Sequence, residues 1–331
     1  MSNVSSFHPH FFLLMGIPGL EASHRLLSIF FCIMYVLGLA ANSILIFVIS
    51  ANESLHQPMY FFLVTLAAGD LILSSTTVPK TLSIFWFNAH QISFIGCMIQ
   101  IFFIHFVSLT ESGLLMAMAY DRYIAICYHL AYHTKLTMSY VRMAIVLLTT
   151  RSFMVVSPMF LLLWRLPYQH SNVIGHTYCE QMSMAQLATA SILVNIIYGM
   201  VVLVFTAVID LVLIGWSYIS IIKAIMRLTT LEARYKSSST LISHVCVLLL
   251  LYVPSFFSFI AYRVPLNHIP PHVHIIVANL YVLIPPMLNP IIYGVRTKEI
   301  QQKVVKMFTW KLNDPQSVLF KQKVSVQIFT N

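Results

Sequence analysis

Asp121-Arg122-Tyr123 stands at the end of a long apolar run and leads straight into Ile124-Ala125-Ile126-Cys127. An acid beside a base at a lipid–water boundary can pair in one conformation and separate in another. That is the chemistry of a switch, with no bond made or broken. Two more acids, Asp70 and Glu111, lie inside apolar runs, where ionisable groups are costly and usually face a bundle interior. Glu111, Leu115, Met118 and Arg122 follow a 4-3-4 spacing, which puts them on one helical stripe. Two carboxylates at similar depth can share a cation, most simply Na⁺, or one can be protonated. They can also be hydrogen-bonded packing acids. Nothing near them resembles a nucleophile–base set, and no Cys/His grouping has structural zinc spacing.

A second stripe holds Phe102, His105, Ser108, Leu109 and Ser112 at i, i+3, i+4 spacing. Arg263 follows just after Phe259 and Tyr262. An arginine at the mouth of an aromatic pocket suits a carboxylate, because its fork donates two parallel charge-assisted bonds. The same arginine could instead reach to lipid headgroups. His105 fits a satisfied core histidine as well as a ligand contact.

These residues need helices to position them. Of 331 residues, 59% are hydrophobic and 9% charged, against about 25% charged in soluble domains. The excess apolar surface requires lipid. A span takes about 20 apolar residues, and only helices or closed barrels satisfy the backbone in hydrocarbon. Seven runs qualify, near Leu26–Ser50, Met59–Pro79, Met98–Ala119, Met143–Trp164, Ile192–Ile222, Leu241–Tyr262 and His272–Val295. They are too continuous for alternating barrel strands. The expectation is an all-α membrane protein, a seven-transmembrane helix bundle, with no cleavable leader. Residues 1–25 form an extracellular tail, 26–295 the bundle, and 296–331 a short amphipathic cytoplasmic helix 8 and C-terminal tail.

Basic residues set the orientation. Arg122, Lys135, Arg142, Lys223, Arg227, Arg234, Lys236, Arg296, Lys298, Lys303, Lys306, Lys311, Lys321 and Lys323 fall on the side opposite the N-terminus. That side should be cytoplasmic. The net charge of +9 is therefore a topology signal and not a nucleic-acid footprint. An outside N-terminus makes Asn3-Val4-Ser5 a glycosylation acceptor. Among five cysteines, only Cys97 and Cys179 then face the oxidising side. A bridge between them would tie the long loop after span four over the bundle's mouth, at roughly 4–5 kcal/mol in the chain-entropy model. The alternative is two free, buried thiols. Cys32, Cys127 and Cys246 read as small apolar packers.

Several strings together resemble a rhodopsin-type G-protein-coupled receptor, specifically an odorant receptor. They are Gly38-Leu39-Ala40-Ala41-Asn42, LHQPMYFFL (Leu55–Leu63), MAYDRYIAIC (Met118–Cys127), Ser217-Tyr218, Ser243-His244 and NPIIY (Asn289–Tyr293). The resemblance covers about residues 10–310. GIPGLE (Gly16–Glu21), LPY (Leu166–Tyr168), HTYCE (His176–Glu180), YVP (Tyr252–Pro254), HIPPHVH (His268–His274) and GVRTKEI (Gly294–Ile300) point to the class I, fish-like branch.

The resemblance implies a small-molecule odorant, such as a carboxylic acid or similar polar compound, anchored by Arg263. His105, Gly199 and Gln181 match pocket positions. It implies that Arg122 leaves its partners while Tyr218 and Tyr293 turn inward beside Asn289 and Pro290. A heterotrimeric G protein of the stimulatory olfactory type then docks and raises cAMP. It implies a plasma membrane location in olfactory cilia and no cofactor. Helix 8 would turn Ile300, Val304, Met307 and Phe308 inward and Lys298, Lys303 and Lys306 to lipid headgroups.

The sequence departs from the family in four places. Gln169 and Thr189 replace a further pair of loop cysteines, implying a looser lid. Gln181 stands where His is common. Tyr128-His129-Leu130-Ala131 lacks the usual proline and arginine, and Lys236–Leu241 differs at the entry to span six. The last two fall where a G protein docks and imply weakened coupling or poor expression. The alternatives are an ectopic metabolite receptor of the same fold and a weakly coupling or non-functional odorant receptor. A transporter or channel would show internal repeats or broken helices, and an intramembrane enzyme a convergent nucleophile or metal set.

Overall fold

A computed structural model describes residues 8–169, 171–227, 231–263 and 270–312. Asn3 and the side chain of Arg263 lie outside the described residues. Seven long helices run through the rest: His24–Ala51, Pro58–Phe87, Phe94–Cys127, Met138–Trp164, Leu193–Met226, Leu231–Arg263 and Pro271–Arg296. Six carry an apolar stretch long enough to cross a bilayer, and the sixth helix contributes a shorter one, His244–Ile260. An eighth helix, Lys298–Leu312, follows. Span three is central, packing on spans two, four, five and six.

Most helix ends follow from local sequence. Pro58 occupies the first turn of span two, where its missing N–H costs nothing. Ser93 caps span three by accepting from the Gly96 amide at 3.0 Å, and Thr137 caps span four through the Tyr140 amide at 3.3 Å. Asn88 ends span two with φ 51°, a left-handed position that asparagine tolerates.

The helices outrun the apolar runs. Span two was expected to stop near Pro79 but continues to Phe87 with Pro79 inside it, since an internal proline is tolerated where neighbours take up the freed backbone groups. Lys80, one residue on, bends its amine to the carbonyls of Ala89 and Gln91, both at 2.6 Å. In span seven, Pro290 has no N–H to offer the carbonyl of Pro286. Asn42 Nδ2 donates to that oxygen at 2.7 Å. Gly38 packs beside the same oxygen, which a Cβ there would meet at 3.4 Å, an ordinary contact.

The N-terminal segment is more than a tail. Strand β1 (Phe11–Leu14) pairs antiparallel with β2 (Gln91–Ser93) and parallel with β3 (Val173–Ile174), in the order β2-β1-β3. Phe12 and Leu14 alternate inward and are fully buried. This sheet and the loop after span four make a lid over one end of the bundle, here called the lid face. Asp121-Arg122 marks the opposite, switch face.

Candidate ligand cavity and conformational switch

The lid is fixed from several sides. Cys97 of span three is disulfide-bonded to Cys179, as expected. Gln100, one turn on, accepts from the Cys179 amide at 2.7 Å and donates to Thr76 O of span two at 2.8 Å. Thr177 Oγ1 donates to Asn279 of span seven at 2.8 Å. His176 between them is wholly buried. Its Nδ1 accepts from the Tyr178 amide at 3.3 Å, and burial holds its pKa down to about 3. The looser lid expected at Gln169 and Thr189 has a substitute. Thr189 donates its amide to Pro167 O at 2.9 Å, so backbone bonding spans the place where cysteines would stand.

Beneath the lid lies a cavity of about 190 Å³. Of the expected pocket residues, His105, Ser108, Gln181, Gly199 and Phe259 line it. Phe102 does not. Its ring stacks on Phe106 at 5.8 Å and meets Phe153 and Phe160 of span four, because the stripe is wide enough for its first member to face a neighbouring helix. The deeper wall comes from residues that sequence spacing did not single out: Thr206, Tyr252, Ser255 and Tyr281. In span five the backbone widens to a π-helical stretch, Leu203–Val208, which carries Leu203, Thr206 and Ala207 to the cavity wall. Such stretches frequently mark functional sites.

A polar network lies directly below. Arg151 of span four forms a two-pronged ion pair with Asp210 of span five, at 2.8 and 2.9 Å. Ser112 Oγ donates to Asp210 at 2.6 Å and lies 2.7 Å from the Tyr252 hydroxyl. Spans three, four and five thus meet on one buried carboxylate, and Ser112 links it to span six. The signal was present in the sequence as opposite charges inside two successive runs.

Asp70 and Glu111 are both buried. Asn289 Nδ2 donates to the two Asp70 oxygens at 3.2 and 3.1 Å. Glu111 Oε1, Asn289 Oδ1 and Asn42 Oδ1 are buried oxygens without a hydrogen-bond partner. Oxygen donors with unused lone pairs are the kind that a hard cation takes.

At the switch face, Arg122 binds Asp121 through Nε at 2.9 Å and Nη2 at 2.5 Å. Tyr132 of the following loop donates to the other Asp121 oxygen at 2.8 Å. Burial, then the Asp121 charge, pushes the Tyr132 pKa up. Leu115 and Met118 are buried along the stripe from Glu111. Tyr293 packs on His244, with its hydroxyl 3.4 Å from Nδ1, and Pro290 lies one turn before it. Tyr218 is half-buried in span five. Tyr123 points elsewhere, toward Tyr128 and Trp216 with ring centroids 5.7 and 5.2 Å away. In the eighth helix, Ile300 is buried, and Val304 and Met307 pack against the core. The side chain of Phe308 lies outside the described residues. Tyr60 of span two donates to Glu299 at 2.7 Å and fastens this helix.

Comparison with known proteins agrees with this geometry. A family model for the olfactory receptor matches residues 31–311. Human olfactory receptor 52B2 is 49% identical over 318 residues, 95% of this chain and 98% of the relative. Human olfactory receptor 52N2 is 47% identical over 304 residues, 92% and 95% of the two chains. Human olfactory receptor 52D1 is 48% identical over 307 residues, 92% and 96%. Membership carries an odorant as ligand, a G protein as partner, a multi-pass place in the membrane and the role of a receptor and not an enzyme. A lid tied to span three, a cavity beneath it and an Asp-Arg-Tyr switch at the far end are thus the parts of one receptor, and the chain belongs to the olfactory receptor family of rhodopsin-type G-protein-coupled receptors, in its class I branch.

Proposed function

We propose that this receptor detects small carboxylic acids or closely similar polar odorants. The observation that carries the reading is the cavity itself: small, mostly apolar, roofed by the lid, with His105, Gln181 and Phe259 toward its mouth. Arg263 follows Phe259 by one helical turn on the same helix. A guanidinium there would meet a carboxylate with two charge-assisted bonds. The N-terminus lies outside the cell, with Asn3 glycosylated, in the plasma membrane of olfactory cilia. Residues 1–25 are the outer tail, 26–295 the bundle and 296–331 the cytoplasmic helix and tail.

Ligand binding biases the bundle toward an open switch face, by no more than its differential affinity for the two states. Arg122 then leaves Asp121, and Tyr218 and Tyr293 turn inward. The partner is the stimulatory olfactory G protein, acting through cAMP. Leu130 supports retained coupling despite its unusual neighbours: it is 91% exposed on the loop after span three, an apolar knob open to a partner. A metabolite receptor outside the nose would use the same cavity. A cAMP assay against short- and medium-chain acids, alcohols, aldehydes and esters tests the reading. A response led by acids is expected, and a response confined to esters or aldehydes would refute it.

A further inference from the structure

The hydroxyl groups of the deep cavity all have their protons committed. Ser108 donates to Ile104 O at 2.6 Å, Thr206 to Val202 O at 2.6 Å and Ser255 to Leu251 O at 2.5 Å. Tyr281 donates to Ser108. Ser112 spends its proton on Asp210, a carboxylate paired with Arg151 that accepts from it. The 2.7 Å contact between Ser112 and Tyr252 therefore takes its proton from Tyr252. Each hydroxyl has one proton and two lone pairs, so these six side chains have only lone pairs left to offer.

The lid end of the cavity adds an unspent donor, beside the carboxylate of Glu180. Gln181 lines it, is buried, and its Nε2 has no partner. Glu180 beside it turns one carboxylate oxygen to the Ser183 amide at 2.7 Å. An unspent donor thus stands near the mouth and unspent acceptors stand at the floor. A ligand that leaves buried polar groups unpaired forfeits affinity.

We propose that the cavity is built for a bifunctional odorant, with an acceptor such as a carboxylate toward the lid and a hydroxyl donor at the deep end. Hydroxy acids are the class it fits best. An ammonium at the floor would be desolvated beside Asp210, whose two oxygens already pair with Arg151. An ether or second carboxylate would set lone pairs against lone pairs. The inference rests on the proposed ligand cavity and adds the chemistry of its inner end.

The test compares hexanoate, ω-hydroxyhexanoate and ω-methoxyhexanoate, with hexanol and its ω-hydroxy and ω-methoxy counterparts. Binding to the purified full-length receptor is read by thermal shift, so coupling does not enter. The ω-hydroxy member of a series should half-saturate at about tenfold lower concentration than the ω-methoxy member, one hydrogen bond's worth. Thr206→Val and Ser255→Ala, which remove floor acceptors without touching Asp210, should bring that ratio toward one. An ω-methoxy ligand that binds as tightly, or a ratio unchanged in both variants, would overturn the proposal while leaving the acid cavity standing. Alcohols that bind where acids do not would refute the carboxylate reading alone, and the ω-hydroxy ratio within the alcohols would still decide this one. Absence of binding by every member would overturn both.

Discussion

Arg151 and Asp210 face each other across spans four and five as a two-pronged ion pair, with the Asp210 side chain 1% exposed. Ser112 and Tyr252 join it to the cavity wall. Removing one partner strands a buried charge, which costs about 3–5 kcal/mol. Arg151→Leu and Asp210→Leu should each lower the melting temperature of the purified receptor sharply. The double substitution Arg151→Leu with Asp210→Leu should recover much of the loss. Additive losses in the double variant would show that the pair does not act as a unit.

Gly113 makes that pair possible. A Cβ at this position would lie 2.9 Å from Arg151 Nη2 and 2.7 Å from Leu148 Cδ2. Arg151 cannot move aside without breaking its bonds to Asp210. Gly113→Ala should therefore destabilise by about 1–3 kcal/mol, the usual cost of overpacking. The same change in an Arg151→Leu background should cost clearly less, as measured by thermal unfolding.

The lid should weaken in acid. His176 stays neutral in the folded protein down to a pKa of about 3, against 6.5 when unburied. Between those values the unfolded chain binds the extra proton, so stability falls as pH drops through that window. The melting temperature should fall from about pH 6.5 toward pH 4.5, and His176→Asn should flatten that part of the profile. An unchanged slope in the variant would assign the acid sensitivity to other groups.

Asp70, Glu111 and Asn289 should respond to sodium. The melting temperature should be about 1–2 °C higher in NaCl than in N-methyl-D-glucamine chloride at equal ionic strength, the effect of roughly 1 kcal/mol in a chain of this size. Asp70→Asn should abolish the difference. Equal melting in the two salts would leave these acids as packing groups.

Much of the frame was legible because the bilayer permits few solutions. Continuous apolar runs had to be helices, and topology left Cys97 and Cys179 as the pair to bridge. The stripe from Glu111 through Leu115 and Met118 was legible because period alone decides a helix face. Tertiary direction was not. Phe102 and Tyr123 sit where spacing put them, yet their rings turn to Phe160 and Trp216. Strand β1 was missed because four residues, Phe11–Leu14, carry too short an alternation to stand out from an apolar tail. Arg151 and Asp210 were visible as charges, but nothing local says that spans four and five bring them together.

The proposed docking of a carboxylate odorant under the lid turns on Arg263. The most direct measurement is the concentration–response of the receptor to its best short-chain acid, beside Arg263→Ala at matched surface expression. The response to the acid should be lost in the variant. An unchanged half-maximal concentration would contradict it.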